Sequence, residues 1–146
     1  MLIDQLKSEE GLRLKVYRCT AGHNTIGYGH NIDAKPTYNN KPIPKVITES
    51  FAIELLKNDI AETTNLLEKK WKGFEQLDNV RRDALINITF QLGINGVMKF
   101  ENMHNALISK DWQTAYNQAI DSGWGKQTPG RARRVAGQFL TGEYYG

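Results

Sequence analysis

A glutamate, a cysteine and a threonine stand at positions 10, 19 and 25, an E-x8-C-x5-T constellation inside the segment SEEGLRLKVYRCTAGHNTIGYGH, residues 8–30. One carboxyl that can deliver a proton, with a thiol and a hydroxyl that can orient or activate water, suits acid-assisted hydrolysis. A general acid working near neutral pH needs a partly dry setting, because burial favours the neutral, proton-bearing carboxyl. Helical phase places Glu10 in such a setting. At about 100° per residue from Leu2, the apolar Leu2, Ile3 and Leu6 average roughly 47°, and Glu10 falls only about 33° away. This carboxyl thus takes a position where a core residue is expected, at a helix end that Gly11 stops.

The elements that follow have to bring the other two groups to it. Leu14 and Val16 alternate with Arg13 and Lys15, which reads as a strand, and Thr20-Ala21-Gly22-His23 supplies turn chemistry. A second strand is expected to put Ile26, Tyr28, His30 and Ile32 on one face and Thr25, Gly27, Gly29 and Asn31 on the other. Glycines weaken a strand and mark either a twist or bulge, or the close approach of a ligand or another backbone. If the two strands form a hairpin, Cys19 and Thr25 lie across it within roughly 5 to 8 Å. Residues 33–47, DAKPTYNNKPIPKVI, hold three of the four prolines and read as an irregular loop. Thr48 is a plausible N-cap. From there to about Lys70, Phe51, Leu55, Leu56, Ile60, Thr63 and Leu67 predict one long helix, about 35 Å at 1.5 Å per residue, enough to join two lobes. Asp59 interrupts its apolar stripe as His30 interrupts the apolar strand face, and the two are expected to pair as a structural ion pair.

Beyond Trp71 the pattern is wholly helical. Asp78 caps VRRDALINITFQLG, residues 80–93, apolar on most sides and ended by Gly93. Shorter helices are expected over 101–109 and 111–122. Thr128-Pro129 opens a last helix through about Leu140, with threonine as N-cap and proline at the first helical position. Trp112 and Trp124 read as core.

The 146 residues, 40% apolar and 24% charged, describe an ordinary soluble protein. Residues 1–70 hold ten Lys/Arg against nine Asp/Glu and 71–146 nine against seven, so the net charge of +3 is mild and spread out. One cysteine makes no internal disulfide. The first fifteen residues show no secretory h-region, and no stretch approaches a membrane span. These features predict a cytosolic protein needing help to reach any substrate beyond a membrane. There is no CxxC pair, no HExxH and no phosphate loop, so neither metal nor cofactor is expected.

EEGLRLKVY, TIGYGH, RRDALINITFQLG and WGKQTPGRARRV, in this order from residue 9 to 135, resemble the T-even phage-type lysozymes, the endolysins of glycoside hydrolase family 24. The resemblance implies an α+β, lysozyme-like fold. It comprises a small lobe with a short three-stranded antiparallel sheet (1–57), a long connecting helix (48–70) and a larger all-helical lobe (71–146), one lysozyme domain in all, with the cleft between lobes. It also implies hydrolysis of the β-1,4 bond between N-acetylmuramic acid and N-acetylglucosamine in peptidoglycan, causing host lysis. By position, Glu10 matches the family's general acid, Thr25 its water-holding hydroxyl, and Cys19 a site where members carry Asp or Cys. His30 and Asp59 match a salt bridge, and Arg131 matches an arginine that pairs with the catalytic glutamate. Asn31, Phe90 and Gln91 match cleft-lining positions.

In that setting Glu10 donates the proton while Cys19 and Thr25 manage a water on the opposite sugar face, giving inversion. Cys19 acts as thiolate base, nucleophile or polar spacer, and cations such as Arg18 or His23 would be needed to lower its pKa. A lytic transglycosylase on the same bond, and a non-catalytic cationic binder of wall or membrane built on RARRVAGQFL, are the alternatives. The implied partner is the glycan strand, with no nucleic acid, a monomeric enzyme, and a holin-type pore giving access from the host cytoplasm.

Overall fold

The computed structural model describes residues 1–146, in seven α-helices and two small antiparallel sheets. Two compact units divide the chain, Met1–Ala61 and Glu62–Gly146, the boundary falling inside the longest helix.

In the first unit, α1 (Leu2–Glu10) buries Leu2, Gln5 and Leu6. It is followed by β1 (Arg13–Arg18), β2 (Asn24–Gly27) and β3 (His30–Asn31), hydrogen-bonded in that order. The register pairs Arg13 with Gly27, Tyr17 with Thr25 and Arg18 with Asn24, with an irregularity between Arg13 and Tyr17. Thr25 pairs with Asn31 and Ile26 with His30. TIGYGH is therefore a hairpin, where the alternation suggested one strand. Gly27 (φ 67) and Gly29 (φ 77) take the positive φ values that let the chain reverse around Tyr28, a conformation open to glycine at no steric cost. A Cβ on Gly27 would lie 3.3 Å from that of Ala52, so this turn also fits closely on a helix.

Leu14 and Val16 lie in the strand expected of them, and both are exposed. β1 is held by backbone bonds on its outer side instead: Val16 N–H donates to Lys45 O (3.1 Å) and Ile47 N–H to Leu14 O (2.8 Å). The proline-rich segment contains a second hairpin, β4 (Thr37–Tyr38) with β5 (Lys41–Pro42), in place of the irregular loop expected. Its turn residues Asn39 (φ 52) and Asn40 (φ 62) are both left-handed, as a two-residue type I′ turn requires. Pro42 is tolerated because two-stranded hairpins have only edges. α2 (Glu49–Lys70) begins where Thr48 Oγ1 accepts the Phe51 N–H at 3.1 Å.

The second unit is helical: α3 (Asn79–Met98), α4 (Glu101–Ile108), α5 (Trp112–Asp121), α6 (Gly123–Gln127) and α7 (Pro129–Thr141), with a 3₁₀ turn at Phe74–Gln76. Asp78 caps α3 by accepting from Arg81 N–H. Gly93 (φ 77, ψ 165) breaks the helix as expected, but helical turns resume and run to Met98. Leu85, Ile88, Met103, Leu107, Val135 and Phe139 are fully buried here, as are Ile26, Leu6 and Leu55 in the first unit.

Candidate active site

The end of α1 puts Glu10 against the TIGYGH hairpin. Gly11, at φ 71, leaves the helix with its N–H on Lys7 O, and the Glu10 side chain is half-buried with Oε2 shielded from solvent. Its carboxyl lies on the backbone of Gly29, where a Cβ would come 2.5 Å from Oε1, 3.1 Å from Cδ and 3.2 Å from Cγ. Of the two roles open to the strand glycines, close approach and turning, Gly29 fills both. Gly29→Ala should therefore misplace the carboxyl, and it adds about 1–2 kcal/mol of backbone strain at positive φ. We expect at least a tenfold loss of kcat with a melting temperature lowered by several degrees. Wild-type kcat in a folded Gly29→Ala protein would show that the approach has no catalytic weight.

Strand pairing sets the rest of the floor. Tyr17, Thr25 and Asn31 form one row across the sheet, because Thr25 is the direct partner of both others, and directly paired residues share a face. Thr25 is buried, and its hydroxyl lies 3.0 Å from His23 O. Asn31 Oδ1 accepts from Ala34 N–H at 3.0 Å. The β1–β2 turn closes through Cys19 N–H to His23 O (2.9 Å) and Gly22 N–H to Cys19 O (2.8 Å). This folds the thiol back over backbone amides. The His23 N–H holds the Cys19 thiol below its ordinary pKa, helped by the Thr25 hydroxyl and the amides of Ala21 and Gly22, against a smaller desolvation. The cause is thus amide donation and not the cations the sequence suggested. Thr25 has one hydroxyl proton, which it gives either to His23 O or to the sulfur, so ionisation of the thiol and rotation of this hydroxyl are linked.

His30, on the opposite sheet face beside Ile26, is buried with both ring nitrogens engaged. Nδ1 lies 2.7 Å from Asp59 Oδ2 and Nε2 donates to Lys35 O at 2.9 Å. Lys35 Nζ adds a longer contact to Asp59 Oδ1, 3.8 Å.

The remaining sequence-selected residues belong to the second unit. Arg131 on α7 donates through Nε and a terminal nitrogen to Asn87 Oδ1, at 3.2 and 2.9 Å. Asn87 is fully buried on α3 and turns its amide nitrogen toward Tyr145 Oη, 3.4 Å. Gln91 is held between Trp124, whose indole N–H donates to Oε1 at 2.8 Å, and Thr128. The Thr128 hydroxyl donates to Trp124 O rather than capping α7. Phe90 is half-buried on the same helix. Sequence reasoning passed over Tyr17, Asn87 and Gly29's contact with Glu10. Asn87 did leave a signal, as the one amide within the apolar run ALINI.

The sequence matches the phage lysozyme family over residues 7–138. It is similar to the pre-baseplate central spike protein Gp5 of Enterobacteria phage T4, 36% identical over 165 aligned positions, covering 99% of this chain and 29% of that protein. The chain therefore spans under a third of the spike protein's length. It is also similar to probable T4-type lysozyme 1 of Dictyostelium discoideum, 32% identical over 161 positions, covering 95% of this chain and 93% of the relative. An endolysin of Acyrthosiphon pisum secondary endosymbiont phage 1 is 39% identical over 89 positions, 61% of this chain and 55% of that protein.

Proposed function

The chain belongs to the phage lysozyme family, and on that footing we propose that it hydrolyses the β-1,4 bond between N-acetylmuramic acid and N-acetylglucosamine in bacterial peptidoglycan. The observation that carries this reading is the seating of the Glu10 carboxyl on Gly29, in the hairpin that also bears Thr25, with the Cys19 sulfur in hydrogen-bonding reach of the Thr25 hydroxyl.

Glycoside cleavage passes through an oxocarbenium-like state and needs a proton on the departing oxygen. Glu10 gives that proton as the bond breaks. A water held by Thr25 attacks the anomeric carbon from the opposite face and loses its proton to the Cys19 thiolate. Exchange with solvent then returns the proton from thiol to carboxylate. Asn31 contributes to glycan binding from the same row as Thr25. Phe90 and Gln91 are glycan-binding residues, Arg131 is a structural support through its bonds to Asn87, and His30 with Asp59 holds the hairpin. The enzyme works as a monomer.

Digestion of defined murein tests the reaction. Reducing-end N-acetylmuramic acid, formed first as the α-anomer by NMR, is the expected product. An anhydro product, one water lighter by mass spectrometry, would replace hydrolysis by transglycosylation, and initial β-anomer would replace inversion by a thioglycosyl intermediate.

Cys19 separates by substitution. Cys19→Asp supplies an anion at the same point and should keep activity within about tenfold, whereas Cys19→Ser, a hydroxyl that stays neutral, should lose about 10²-fold. Equal activity in the two would remove the anionic role.

No helix is long and apolar enough to cross a membrane. The proposal holds the enzyme on the cytoplasmic side of the host's inner membrane until a holin-type pore formed by another protein admits it to the wall.

A further inference from the structure

We propose that Tyr17 is a glycan-positioning residue, its phenol hydroxyl donating a hydrogen bond to the saccharide bound above the floor made by Thr25 and Cys19. This rests on the reading of the site given above and adds a residue to it.

The strand register is the first support. Tyr17 is the direct partner of Thr25, so the two side chains rise from the same face, and Cys19, the first residue past the strand, is brought to that floor by the hydrogen bond between its sulfur and the Thr25 hydroxyl. Side chains stand roughly perpendicular to a sheet, and a phenol carries its oxygen several ångströms farther from the backbone than a threonine hydroxyl does. Thr25 therefore meets what lies on the floor, and Tyr17 meets what lies over it. On the proposed mechanism these are the water and the sugar.

The second support is how the ring is held. The Arg13 guanidinium lies 4.9 Å from the ring centroid, from the far end of the irregular stretch that begins at Arg13. A guanidinium over one π-face steadies the ring. The hydroxyl, at the ring's far end, is the polar group it can offer a ligand. It is also in electrostatic reach of both reacting groups. Burial, the Glu10 carboxylate and, more weakly, Cys19 raise the phenol's pKa, against Arg13, so it keeps its proton and remains a donor. Saccharide hydroxyls and acetamido carbonyls are the acceptors such a donor fits.

The test uses the full chain in a Glu10→Gln background, which isolates binding from turnover, with soluble uncrosslinked murein strands as the probe in calorimetry. Adding Tyr17→Phe keeps the ring beneath Arg13 and removes the hydroxyl. We expect Kd to rise about three- to tenfold, the worth of one neutral hydrogen bond. In the otherwise wild-type enzyme KM should rise by a similar factor and kcat fall by less. An unchanged Kd, or a loss confined to kcat, overturns the assignment. A change in melting temperature that tracks the loss of binding overturns it too, by making Tyr17 structural. If Glu10→Gln alone clears peptidoglycan at the wild-type rate, the underlying reading of the site falls, whatever Tyr17→Phe does.

Discussion

Glu10→Gln is expected to slow peptidoglycan clearing by about 10²- to 10⁴-fold, the usual worth of a positioned general acid, while the protein stays folded. The amide has the size of the carboxyl and can occupy the same place on Gly29, but it has no proton to give a departing sugar oxygen. Stability should hardly move. The residue is the last of α1, half-buried, and a neutral group there avoids the desolvation that a charged one suffers. A change in melting temperature within about 2–4 °C, equivalent to some 1 kcal/mol for a chain of this size, is the expectation. Glu10→Asp sharpens the result. It keeps the acid but withdraws it by one methylene from the position that Gly29 leaves open, and a misplacement of about 1 Å costs on the order of 10²-fold. Loss in both variants, with unfolding curves that overlay the wild type, makes both the proton and its position necessary. Clearing by Glu10→Gln at the wild-type rate would end the assignment.

The residues of this site differ in how openly the sequence shows them. Glu10 is legible because a helix has a fixed angular period, and a carboxyl in the apolar phase stands out. Thr48 and Asp78 are legible because a cap is a local device, complete within four residues. The TIGYGH hairpin is not, since alternation of apolar and small residues continues unbroken through Gly27, Tyr28 and Gly29. Only the φ values show the chain turning back. That turn alters the chemistry as well as the outline, because it makes Thr25 and Asn31 cross-strand partners instead of distant residues on one strand. The Asn39-Asn40 turn could have been read from its residue types, but the surrounding prolines outweighed it. What lowers the Cys19 pKa was hidden for a different reason. Sequence displays charged side chains such as Arg18, whereas the amides that act on the sulfur belong to every residue and become visible only once the Cys19–His23 turn closes. Tyr17 was passed over because an aromatic in an alternating strand is ordinary until its cross-strand partner is known.

Asp59→Asn and His30→Asn should each destabilise the protein by about 3–5 kcal/mol, the effect of removing one member of a buried, hydrogen-bonded ion pair. The two side chains are 4% and 9% exposed, so solvent screens the pair little. Both imidazole nitrogens face acceptors, a carboxylate and a carbonyl, and only the doubly protonated ring satisfies both. Burial alone would lower the His30 pKa; the hydrogen bond and charge of Asp59, with the Lys35 carbonyl, outweigh it and raise the pKa above 6.5. A histidine whose pKa is higher folded than unfolded contributes stability that is fully present below the unfolded value, and loses it as pH rises through the folded one. The gap in unfolding free energy between wild type and His30→Asn should therefore be widest near pH 6 and narrow on the alkaline side, as read from urea titrations at each pH. The pair also ties the hairpin to α2, because His30 is in β3 and Asp59 in the long helix. Loosening it frees the element that carries Gly29, so both variants should lose activity at temperatures where they remain folded. A double-mutant cycle with no coupling between the two positions, or a stability gap that widens with rising pH, would contradict this account of how the hairpin is held.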